Sequence, residues 1–172
     1  MLDSQSWRKL HLAINETTRE IVASTLTTNK KGDPSQVAPL LDQMEEDISK
    51  MKADGAYDRA SVYHVLSEQG IQGIFPPGKD AILSKKVLTE PTPRDLNILF
   101  ISEKGRKVWE QETGYSMRNL VENTMFRYKK IIGGTLRSKE FDSQKVETQF
   151  CQFCQLLTGR FSEKKRLFLL LA

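Results

Sequence analysis

Ala53-Asp54-Gly55-Ala56-Tyr57-Asp58 is the stretch on which the fold of this chain turns. Residues 45–53 before it read as a strand, although their alternation is poor. Arg59 to Gln69 after it reads as a helix, and Ile71 to Phe75 as a short strand stopped by Pro76-Pro77-Gly78. Strand, helix and strand at these lengths make the repeating unit of an α/β domain. In open α/β sheets reactive side chains collect at the carboxyl ends of strands, and Asp54 stands at such an end. The glycine after it lets the backbone turn tightly while the carboxylate points out of the sheet.

Toward the N-terminus, Trp7 to Ile14 alternates, with Leu10, Leu12 and Ile14 on one side and Lys9, His11 and Ala13 on the other. Asn15 to Arg19 is a polar turn, and Glu20 to Thr27 returns as a second strand, so a hairpin is predicted. Asn29 to Asp33 is a loop, and Ser35 or Asp33 is expected to cap a helix reaching about Met44. Toward the C-terminus, Lys79 to Glu90 reads as a loop or insertion. Thr92-Pro93-Arg94-Asp95 then opens helical sequence to about Glu112, with Gly114 as the break. A helix from Tyr115 ends at Gly133-Gly134, and a last one spans about Ser143 to Leu157.

The 172 residues suffice for one domain, expected to span 1–172. The net charge of +4 is mild, but the charge is segregated. Lys104 to Lys139 holds nine Lys or Arg against three acids, whereas Leu40 to Asp58 holds six acids against two lysines. A basic helical surface beside an acidic segment suits a polyanion held together with divalent metal. Met1 to Lys9 contains no apolar run, so no signal peptide is expected, and Leu167 to Leu171 is too short to span a bilayer. The reading is a cytoplasmic protein without a membrane partner. Cys151 and Cys154 lack the second ligand pair that zinc needs and read as helix packing.

The helix from Tyr115 carries the remaining signal. Tyr115, Arg118, Glu122 and Lys129 fall at roughly 0°, 300°, 340° and 320° around an α-helix, a stripe about 60° wide. A glutamate there can hold a metal ion and the cations a phosphodiester. Charged stripes also simply keep helices soluble, and Arg118 with Glu122 forms an ordinary i,i+4 pair.

Four segments in order resemble a known family. Tyr-x2-Arg-x3-Glu-x6-Lys over Tyr115–Lys129 is similar to the signature of bacterial insertion-sequence transposases of the DDE class. The Ala53–Asp58 segment resembles that family's second-aspartate motif, Trp7 to Leu12 the strand before it, and Phe75 to Lys79 the loop after the next strand. The resemblance covers about Trp7 to Leu157.

It implies an α/β, ribonuclease-H-like mixed sheet flanked by helices, in which three carboxylates hold two Mg²⁺ ions for in-line attack on a phosphodiester. By motif position Asp54 is the second carboxylate and Glu122 the third, both catalytic and metal-binding. Arg118 and Lys129 then hold phosphates near the transposon end, and Tyr115 packs on the DNA backbone. Arg127 and Lys130 lie on another side of the helix and suit general phosphate contacts. The implied partner is double-stranded DNA at transposon ends, with a transposase homo-oligomer and a nucleoid-associated location in bacteria. The family's first carboxylate lies on a strand upstream of the Trp7 segment, and Asp3 is the only acid before Trp7. The chain therefore reads as a DDE transposase catalytic domain lacking its first strand, inactive alone, with an unpaired sheet edge. The alternatives are a non-catalytic DNA-binding or transposase-binding regulator and a non-functional remnant.

Overall fold

The computed structural model describes residues 8–44, 47–132, 135–156 and 165–171. Side chains are described for these except 117–121, 127–128, 131–132, 150–156 and 165–171. Asp3, Trp7 and the Gly133-Gly134 stop lie outside the described residues.

The hairpin forms where the alternation predicts it. β1 (Arg8–Asn15) pairs antiparallel with β2 (Ile21–Thr28). The turn is made by buried Asn15, whose Oδ1 accepts from the Thr17 and Thr18 amides at 2.8 and 3.0 Å. A 3₁₀ turn, Asp33–Gln36, leads into α1 (Val37–Leu41). Neither Ser35 nor Asp33 caps it; Ser35 Oγ donates to the Gly32 carbonyl at 2.6 Å and Asp33 pairs with Lys9 at 3.0 Å. β3 (Ile48–Lys52), α2 (Ala60–Glu68) and β4 (Gln72–Ile74) give the strand–helix–strand unit, with β3 and β4 parallel.

α3 (Pro93–Lys104) opens on a capping box between Thr92 and Asp95. Gly105, at φ +86°, breaks the helical stretch before α4 (Arg106–Thr113), where the sequence pattern alone predicts continuous helix. A 3₁₀ turn over Tyr115–Arg118 leads into α5 (Asn119–Ile132), and α6 (Phe141–Leu156) follows.

The largest departure from expectation is β5 (Lys165–Leu171). The strand order is β2-β1-β5-β3-β4: β5 pairs antiparallel with β1 and parallel with β3, which do not pair with each other. The expected gap and unpaired edge beside β1 are therefore absent. A run that the sequence marks only as too short for a membrane span is the central strand of a five-stranded mixed sheet.

One face of the sheet buries Ala13, Ala23, Met51 and Ala53 against α1 and α2 through Val37, Leu40, Val62 and Leu66. Gly73 of β4 faces this layer, where a Cβ would stand 2.8 Å from Phe75 and 2.9 Å from Leu66. Gly73→Ala is expected to cost about 1–3 kcal/mol by overpacking. It should lower the urea midpoint without changing the slope of the transition. An unchanged midpoint would mean that both side chains can give way. On the other face, Ile74 packs with Trp109 and Tyr115, while α6 lies against β2 and α5 against β5.

Candidate active site

β3 ends at Lys52, and the chain leaves it through Ala53 and Asp54. Asp54 caps the following 3₁₀ turn: its Oδ1 accepts from the Ala56 amide at 2.8 Å. Tyr57 of that turn is buried, 6.3 Å from the Phe75 ring, and its hydroxyl has no hydrogen-bond partner among the described residues. Burial pushes the phenol pKa up, and the Asp33 and Asp54 carboxylates add to the shift. Gly55 sits against the loop after β4, where a Cβ would lie 3.1 Å from the Pro76 carbonyl oxygen. Arg106 donates to the Pro77 carbonyl on the same loop. The two motif segments 53–58 and 75–79 thus meet.

The start of the Tyr-x2-Arg-x3-Glu-x6-Lys segment is bolted to the same end of β3. Lys52 is 2% exposed, and its Nζ donates to Glu16 Oε1 and Oε2 at 3.0 and 3.1 Å. It also donates to the Gly114 carbonyl at 2.9 Å. Gly114 closes α4 at φ +66°, and a Cβ there would stand 3.0 Å from Lys52 Nζ, so both conformation and space call for glycine. Tyr115 follows directly.

Tyr115 does not lie along the stripe drawn from helical angles. Its turn is 3₁₀, with about 3 residues per turn rather than 3.6, so the 100° phase does not apply before Asn119. The residue is buried and its ring lies 5.3 Å from that of Trp109. Trp109 is itself fixed by a 3.0 Å bond from Nε1 to Asn97 Oδ1. Tyr115 therefore anchors the helix start in this arrangement.

On α5, Glu122, Lys129 and Lys130 are exposed, and Thr124 and Met125 are buried. The side chains of Arg118 and Arg127 lie outside the described residues. Phe126, which no charge pattern singles out, is 65% exposed among these charges, with Lys130 Nζ 5.9 Å from its ring centre.

Asp58, last residue of its motif, holds the insertion rather than the site. It accepts from Arg94 Nε at 3.1 and 3.0 Å and from the Tyr63 hydroxyl at 3.2 Å, and Arg94 Nη1 donates to the Ile82 carbonyl. Next to it, buried Asp95 accepts from the amides and hydroxyls of both Ser84 and Thr92. Burial works against its charge, but those four donors outweigh it and hold the carboxyl well below the usual range. The 79–92 segment is pinned by these two acids.

The family model described as "Transposase DDE domain" matches residues 3–157, most of the chain. The chain belongs to the DDE transposase family. No solved structure matches it. β5 of this DDE transposase lies beyond the matched residues. The family works with divalent metal, which asks for converging hard-oxygen donors. Among the described residues no group of three His, Cys, Asp or Glu side chains could hold a metal ion. Asp54 stands at the strand end and Glu122 on α5, and the described residues do not fit a complete two-metal centre. Among them, too, no helix is long and apolar enough to cross a membrane.

Proposed function

We propose that this chain is a single domain of ribonuclease-H-like architecture that holds transposon-end DNA. Asp54 and Glu122 are its two metal-side carboxylates. Arg118 and Lys129 contact phosphates near the end, and Arg127 and Lys130 contact the backbone more generally. The observation that carries this reading is the Lys52–Gly114 bond of 2.9 Å. It ties the end of the strand preceding Asp54 to the start of the segment that bears Glu122 and Lys129, which supports reading the two segments as parts of one site. A parallel pair, β3 and β4, joined through α2, in one sheet with an antiparallel hairpin across β5 suits such an architecture.

The test is binding of duplex DNA carrying the element's ends across a salt series. Lys129→Ala is expected to weaken binding at every salt concentration and to reduce the slope of log affinity against log salt by about 1, the share of one phosphate contact. An unchanged slope would remove Lys129 from the interface, and absence of binding at low salt would sink the whole reading.

A further inference from the structure

β5 touches both carriers of the proposed carboxylates. It pairs with β3, which leads into Asp54, and α5, which bears Glu122, lies against it. Between a strand-end carboxylate and a helix carboxylate, this is where a third acid would converge with both. Lys165-Arg166-Leu167-Phe168-Leu169-Leu170-Leu171 contains none. The register identifies the position. Lys52 is level with Phe168, and Asp54 lies two residues past Lys52 as Leu170 lies two past Phe168. Across the other ladder Leu170 pairs with Leu12, also apolar. Moreover, β5 falls outside residues 3–157, the extent of the family match, although it occupies the middle of the sheet.

We infer that β5 is a substitute strand: it completes the backbone of the sheet beside Asp54 while leaving Leu170 where a third metal carboxylate would stand. The described residues then combine a closed sheet with a metal set one acid short, which suits occupying DNA ends without cutting them. This deepens the proposed function and rests on its assignment of Asp54 and Glu122. In the central strand of a sheet a lone carboxylate without metal would be costly, so an apolar residue at this register position favours the metal-free sheet.

The experiment is Mn²⁺ binding by calorimetry to the full chain, to Leu170→Asp and to the near-isosteric Leu170→Asn. Circular dichroism establishes that each variant is folded. Leu170→Asp is expected to bind Mn²⁺ about tenfold tighter or more, because charge count among oxygen ligands tunes affinity over decades. Leu170→Asn should not, and adding Asp54→Asn to Leu170→Asp should abolish the gain. A folded Leu170→Asp that binds no tighter than the parent overturns the inference, and so does a gain that persists with Asp54→Asn. Neither result touches DNA binding, which the Lys129 salt slope measures independently.

Should Leu170→Asp fail to fold, hydrogen exchange on the parent chain decides. Amides of Lys165–Leu171 that exchange as slowly as those of β1 support the strand. Exchange as fast as that of the same sequence in an unfolded peptide overturns it.

Discussion

A proline at position 169 is expected to take the sheet apart. Leu169 lies in the interior of β5 and is level with Ala13 of β1, and on its other side β5 runs parallel to β3. Proline removes a ladder donor and is tolerated in sheets only at edges, first positions or bulges. Here the consequence is larger than one lost bond, because among the described residues the hydrogen-bonded ladder joins the β1–β2 hairpin to the β3–β4 pair only through β5. Detaching it opens two edges at once and leaves β1 and β3 as templates for aggregation. Leu169→Pro should cost at least about 3 kcal/mol, a large part of the roughly 5–15 kcal/mol that hold a domain of this size. Urea unfolding followed by circular dichroism should show a collapsed or non-cooperative transition. A variant that unfolds at the parent midpoint would mean that β5 does not bridge the halves.

What is legible in the sequence and what is not follows from how far apart the deciding residues lie. The hairpin is local: alternation sets its strands, and Asn15 bonds to amides two and three residues on. Asp54 is local too, a cap on its own turn. β5 gives no such signal. A short apolar run without alternation suits a strand buried on both faces as well as a helix segment, and its partners, β1 and β3, lie more than 100 residues upstream. Tyr115 falls off the predicted stripe because a uniform 3.6-residue period does not survive a 3₁₀ turn. Lys52 gives no sequence signal because lysine in a strand normally marks the solvent side. Only its partners, 36 and 62 residues away, reveal it as buried.

That lysine carries the second large effect. With side-chain exposures of 2% for Lys52 and 10% for Glu16, Lys52→Met leaves a nearly buried carboxylate without its cation. The expected cost is about 3–5 kcal/mol, whereas replacing both partners by apolar residues of similar volume is often close to neutral. Lys52→Met/Glu16→Leu should therefore recover much of what Lys52→Met loses, and a double-mutant cycle by urea unfolding should show strong coupling. Additive losses would mean that the pair is not a buried unit. The functional consequence separates stability from positioning. In both variants the Gly114 carbonyl loses the Lys52 donor, so the junction before Tyr115 is no longer tied to the end of β3. The double variant should then bind transposon-end DNA more weakly than Gly73→Ala, even where it is the more stable of the two. Gly73→Ala perturbs the opposite layer of the sheet and leaves the junction intact. If DNA affinity instead follows stability across both, the Lys52–Gly114 bond holds the fold without positioning the α5 cations.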